Sequence, residues 1–243
     1  MVLARCVDVR ANRPFVVADV LARLRALYPS CMVFSVDGFI GASPELLIRR
    51  HGDRVTSHPL AGTVARSGDD EQDRALIAGL LASPKERWEH QLVVDALAKS
   101  LRQVCPTLDV PSTPSIVGLR NVSHLGTFLT GTLPGEPPRR PDALELVALV
   151  HPTPAVGGWP SAEAVEHLRA VEGFDRGRYA GPVGWVDGRG DGAWALGIRS
   201  AEIDGARARM YAGAGIVADS DPAAELAETQ LKLQALLAAL VRP

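Results

Sequence analysis

The stretch GPVGWVDGRGDGAWALGIRSAEIDGARARMYAGAGIV (181–217) reads as strand, turn, strand, turn, strand. Its β-prone runs lie at 181–188, 193–203 and 206–217, with Asp187-Gly188, Asp191-Gly192 and Asp204-Gly205 between them. Asp-Gly is a hairpin signal because both residues accept the backbone angles of a tight turn. Successive hairpins pair antiparallel, so this third of the chain predicts an antiparallel sheet.

Working outward, a last helix follows the third run. Asp221 can cap it and Pro222 suits its first turn. Toward the N-terminus, residues 2–9 alternate as a strand, and 16–28 place Val20, Leu21, Leu24, Leu27 and Tyr28 at helical spacing. Apolar runs at 31–40 and 45–50 read as strands, and the His51-Gly52-Asp53 turn returns the chain as a hairpin strand at 54–57. Residues 59–73 read as a loop entering a helix at 74–83. Pro84 opens a longer helix, 85–105, whose apolar face includes Trp88, Leu92 and Leu97 and turns toward the core. Pro-rich stretches at 106–114 and 134–141 are loops, and 115–131 alternates like sheet. Strands and helices do not alternate strictly. The fold class expected is α+β, an antiparallel sheet core flanked by helices, in a single domain spanning 1–243.

Composition narrows the function classes. The chain has 243 residues, 47% of them hydrophobic, enough for a sizeable core. Net charge is −2, from 26 basic and 28 acidic residues, and no basic block or stripe suggests nucleic acid or a membrane surface. The three cysteines, Cys6, Cys31 and Cys105, form no CxxC pair, which argues against a zinc site or a disulfide framework. With no signal-peptide pattern in MVLARCVDVR, a cytoplasmic protein is expected.

Three acidic groupings could carry chemistry. Glu86 and Glu89 share one face of the 85–105 helix, and Glu225, Glu228 and Lys232 share one face of the last helix. Carboxylates from two helices facing across a cleft suit magnesium, a hard ion that keeps waters and binds substrate oxygens. A solvated helix face is the simpler reading of the spacing alone. Glu45 precedes the apolar run Leu46-Leu47-Ile48, where burial would raise its pKa and fit it for general-acid work. A surface glutamate at a strand end is the simpler reading of the sequence alone. His124 and His151 could make polar ligand contacts or be satisfied structural residues. Arg199 interrupts an apolar strand, so it either faces a cleft, where its fork suits a carboxylate, or lies on the other sheet face. Gly213 and Gly215 would let backbone N–H groups approach an anion, or simply permit tight sheet packing.

In order, the chain carries VLAR (2–5), GASPELL (41–47), PLAGT (59–63), ERWEHQLVVD (86–95), HPTPAVGG (151–158), FDRGRYAGPVGW (174–185), IRS (198–200), YAGAGIV (211–217) and ELAETQLK (225–232). That series resembles the magnesium-dependent chorismate-utilising enzymes, nearest their isochorismate synthase branch, and covers nearly the whole chain. The resemblance implies the fold shared with anthranilate synthase component I, lacking its N-terminal part. It implies binding of chorismate with one Mg2+. Glu89 and Glu228 would be direct ligands, with Glu86 and Glu225 holding metal-bound waters. Arg199, Gly213 and Gly215 would take the enolpyruvyl carboxylate, Lys232 would add charge near the ring carboxylate, and His124 would lie near the ring. Ala61, Gly62 and Thr63 would complete the substrate site. Glu45 would be the acid that protonates the departing 4-hydroxyl while water adds at C2, giving isochorismate for menaquinone or siderophore biosynthesis.

Ala61 replaces the lysine that some aminodeoxychorismate synthases use as a nucleophile, so covalent chemistry is disfavoured. Salicylate or anthranilate formation is the enzymatic alternative. A non-catalytic remnant is the other, because the family's water-activating lysine would fall one residue before Met1. The expectation is a start assigned at an internal valine codon, or a truncated gene. A monomer is expected for the complete protein.

Overall fold

A computed structural model gives the fold, describing residues 1–135 and 140–241. Strands β1 (Val2–Arg10), β2 (Met32–Val36), β3 (Phe39–Ser43), β4 (Leu46–His51), β5 (Arg54–His58) and β6 (Leu60–Ala65) occupy the first third with helix α1 (Val17–Leu27). Helices α2 (Asp70–Ala82) and α3 (Pro84–Leu101) follow, then β7 (Thr107–Asp109), β8 (Ser115–Gly118), β9 (Val122–Gly126) and β10 (Leu129–Thr132). Helices α4 (Ala143–Val150) and α5 (Ser161–Val171) precede β11 (Pro182–Val186), β12 (Gly192–Leu196), β13 (Ser200–Asp204), β14 (Arg207–Gly215) and α6 (Pro222–Val241). Among the described residues no helix is long and apolar enough to cross a membrane.

The strands form three antiparallel sheets: β1-β14-β13-β3-β2, β11-β12-β4-β5-β10-β7, and β6-β9-β8. The hairpin signals of 181–217 therefore serve two sheets. β11–β12 joins the six-stranded one, while β13–β14 joins the five-stranded one. The chain changes sheets at 197–199, where Arg199 adopts φ 51, a left-handed conformation rare for a residue with a side chain.

Each larger sheet has its own core. Against the six-stranded sheet, α3 and α4 bury Leu97, Leu101 and Leu146 beside Ile48, Val55 and Leu196. Against the five-stranded sheet, α1 and α6 bury Val20, Leu24 and Leu236 beside Ile40 and Met210. Helix entry is set by capping. The Asp69 carboxylate accepts from Gln72 N at 2.8 Å, Ser83 Oγ accepts from Glu86 N at 3.3 Å, and Asp221 accepts from Ala224 N at 2.9 Å.

Several expectations change. Residues 60–65 are not loop but β6, paired with β9. Helix α2 starts four residues ahead of the expected 74, because Asp69 caps it there. Helix α3 ends at Leu101 rather than 105. Thr107–Asp109 in the Pro-rich stretch pairs with β10. Of the loop expected at 134–141, residues 136–139 lie outside the described residues. Trp88 does not turn toward the core: it is 63% exposed. Helices α4 and α5 had no counterpart in the sequence reading.

Candidate active site

A cavity of about 560 Å³ opens between the two larger cores. Its size suits a small organic ligand. The three-stranded sheet closes one side with Ala61, Gly62, Thr63 and His124. The start of β4 adds Glu45, the sheet crossover adds Arg199, and β14 adds Gly213 and Gly215. Glu86 and Glu89 reach it from α3, Glu228 and Lys232 from α6.

Glu45 is 4% exposed. Its backbone N–H donates to Ser43 Oγ at 3.3 Å, which fixes the turn into β4 after Pro44. Burial pushes its pKa up to about 8 and outweighs the Leu60 backbone hydrogen bond and the charges of Arg199 and Lys232, which pull it down. At neutral pH this carboxyl therefore holds a proton it can give.

His124 is held in one neutral tautomer. Burial first, then the charges of Arg199 and Lys232, lower its pKa well below the ordinary value. Nε2 lies 3.1 Å from Arg199 Nη2, and a guanidinium can only donate, so Nε2 accepts. Nδ1 then carries the hydrogen, facing Gly62 O at 3.2 Å and Thr63 Oγ1 at 3.1 Å. The chain Gly62–His124–Arg199 ties the small sheet to the crossover and orients the guanidinium. Burial lowers the Arg199 pKa too. Lys232 Nζ donates to Gly213 O at 2.8 Å and to the Glu228 carboxylate one helical turn away.

The acidic end is crowded. Glu86 Oε2 accepts from Thr63 N at 3.1 Å. Gly62 at φ 75 leaves room for it, since a Cβ there would stand 3.1 Å from that oxygen. Burial raises the Glu86 pKa. Burial, and next the charge of Glu86, push Glu89 up to about 7, and its buried Oε1 has no hydrogen-bond partner. Among the described residues no three of His, Cys, Asp or Glu already stand together as a ready metal site. Instead the Lys85 ammonium stands among them, 2.7 Å from Glu225 and 3.8 Å from both Glu86 and Glu89. Glu225 is not among the residues that line the cavity and joins the cluster through this lysine. His151 faces a neighbouring cavity, not this one. Trp88, Trp159 and Tyr179 line the cavity and had not been singled out as site residues. Tyr179 lies within FDRGRYAGPVGW and Trp88 within ERWEHQLVVD, so the motifs carried the only available signal.

The family model for chorismate binding enzymes matches residues 1–241. The isochorismate synthase DhbC of Bacillus subtilis is 47% identical over 201 residues, covering 83% of this chain and 50% of that protein. The isochorismate synthase EntC of Escherichia coli K12 is 40% identical over 242 residues, covering 98% of this chain and 61% of that protein. The solved structure of MenF, the menaquinone-specific isochorismate synthase of Escherichia coli, superimposes with a TM-score of 0.88 at 36% identity, over 98% of this chain and 55% of that one. The chain thus spans between half and two thirds of these relatives.

Proposed function

The chain belongs to the chorismate-binding enzyme family, and from that membership we propose that it converts chorismate into isochorismate with one magnesium ion, for menaquinone or siderophore biosynthesis. The observation that carries the reading is a buried Glu45, its pKa pushed up to about 8 by that burial, in the same cavity as an oriented Arg199 and a group of carboxylates. An acid and a cationic anchor match a dianion that must lose a hydroxyl.

The carboxylate cluster fits magnesium. Its donors are hard oxygens, and the orphaned Glu89 Oε1 is a buried acceptor awaiting a cation. Glu89 and Glu228 would hold the ion directly, with Glu86 and Glu225 holding its waters. Bound there, the ion would neutralise the ring carboxylate of chorismate. Arg199 binds the enolpyruvyl carboxylate, with Gly213 and Gly215 keeping that wall thin. Lys232 adds positive charge beside Glu228. Glu45 gives its proton to the 4-hydroxyl as that group departs as water, and a second water adds at C2 and loses a proton. In the family this chain resembles, that last proton goes to a lysine; here Met1 and Val2 border the cavity.

The test is incubation with chorismate and MgCl2, with products separated by chromatography. Isochorismate, formed without pyruvate and without need of ammonia, is the expected product. Pyruvate release would instead mark salicylate formation, and ammonia dependence anthranilate formation. No product of any kind from folded protein would reject the reading. Glu228→Ala is expected to abolish magnesium-dependent chorismate binding, and unchanged binding would reject the metal assignment.

A further inference from the structure

Lys85 stands where a helix by itself would not choose a cation. It lies in the first turn of α3, at the end where the aligned peptide dipoles favour negative charge. It also precedes Glu89 by four residues, the weaker order for such a pair. What it gains lies on the other helix: Nζ donates to Glu225 of α6 at 2.7 Å. Two further carboxylates, Glu86 and Glu89, stand 3.8 Å from the same nitrogen, too far for a hydrogen bond and near enough for attraction. One ammonium is thus shared among three carboxylates, and it still leaves Glu89 Oε1 without a hydrogen bond.

Resting on the magnesium reading above, we propose that Lys85 is a tethered counter-cation that holds these carboxylates together until a divalent ion displaces it. Without some cation, three partly buried carboxylates facing one another would repel and splay, or take up protons. The lysine prevents that, and its flexible four-carbon stem and partly exposed side chain allow it to leave. Exchange has a cost. The incoming ion must break the Glu225 hydrogen bond, so the site binds its metal more weakly than the carboxylates alone would. In return the ligands are already gathered when the ion arrives. Lys85 acts through the carboxylates and is a positioning residue.

The test compares Mn2+ binding, by electron paramagnetic resonance of the free ion, in wild type, K85M and K85R. K85M is expected to bind on the order of tenfold tighter, the gain from removing one competing charge. Its metal-free form is expected to melt lower than wild type, a gap that closes at saturating Mn2+. K85R, which keeps the charge, should stay near wild type. Equal or weaker binding by K85M overturns the proposal. A second measurement needs no variant: amine acylation of wild type, read at Lys85 by peptide mass spectrometry. Mn2+ should increase labelling, and unchanged or reduced labelling overturns the exchange. If wild type binds no Mn2+ at all, the magnesium reading itself falls, and the exchange with it. Binding by wild type with neither effect at Lys85 removes the exchange alone.

Discussion

Glu45 shows how one side chain's environment becomes a pH dependence. A raised carboxyl pKa means that the folded state keeps a proton which the unfolded chain has released above its ordinary value of 4.5. Between that value and about 8 the folded state binds more protons, so stability falls as pH rises through this range. Glu45→Gln removes the linkage. Its melting temperature should vary less over this range and gain on wild type as pH rises from about 4.5, the gain levelling off once pH passes about 8, as differential scanning calorimetry would measure. Catalysis should follow the same proton: kcat/KM falls as pH rises through about 8, while Glu45→Gln loses this limb and on the order of 10²–10⁴ in rate. Glu45 was a legible candidate because a carboxylate directly before Leu46-Leu47-Ile48 could enter a buried strand, although a surface position was the simpler reading. Its role came only through the resemblance. The single tautomer of His124 was not legible, since its partners come from two distant segments, Gly62 and Thr63 on one strand and Arg199 at the sheet crossover.

Helices and strands tell the reader unequal amounts. The hairpins at 181–217 announce themselves through Asp-Gly turns, and α6 through Asp221 and Pro222. Strand β6 did not, because Pro59 stands directly before a run of only six residues that Gly62 interrupts, and its pairing with β9 depends on a distant segment. Helix α4 is apolar on nearly every side and so shows little periodicity, yet Asp142 and Glu145 form a reciprocal capping box that a search for Asp-x-x-Glu would have met. Trp88 was assigned to the buried face of α3 because bulky apolar residues usually belong there; the helix instead turns Val93, Leu97 and Leu101 inward. The closeness of β14 to α3 yields a prediction at this scale. A Cβ at Gly215 would stand 2.7 Å from Glu89 Oε2, so Gly215→Ala must push that carboxylate aside. Mg2+ affinity, measured by calorimetry, should fall about tenfold or more, in the range seen when groups that orient metal ligands are altered. Overall stability should change little.

At the scale of the whole molecule, two cores with separate helices flank one cavity. Their separation follows from topology: β12 and β13 are adjacent in sequence yet belong to different sheets. The Asp-Gly turns predicted the antiparallel character and helical spacing the flanking helices, but neither could divide the strands among three sheets, because pairing partners such as β1 and β14 lie some two hundred residues apart. The cavity itself was therefore invisible except through the order of motifs. Leu196 ends β12 with no exposed surface, just ahead of the crossover that carries Arg199. Leu196→Ala should destabilise the fold by about 2–5 kcal/mol, the usual range for a large-to-small change in a packed core. Chemical denaturation measures it, and a loss under 1 kcal/mol would mean that the crossover is not anchored by that core.

The exposed Trp88 and Trp159 have an optical consequence. Both indoles border the cavity yet are largely in water, so their emission should peak at long wavelength, distinct from that of the half-buried Trp194 and superimposed on a constant contribution from the exposed Trp185, which lies outside the cavity. A ligand settling between them and the carboxylates would exchange that water for its own surface. Chorismate should therefore quench the long-wavelength component or shift it to the blue in proportion to occupancy, and Trp88→Phe and Trp159→Phe would apportion the signal. The cavity thus carries its own fluorescent reporter, by which occupancy can be followed in real time without waiting for turnover.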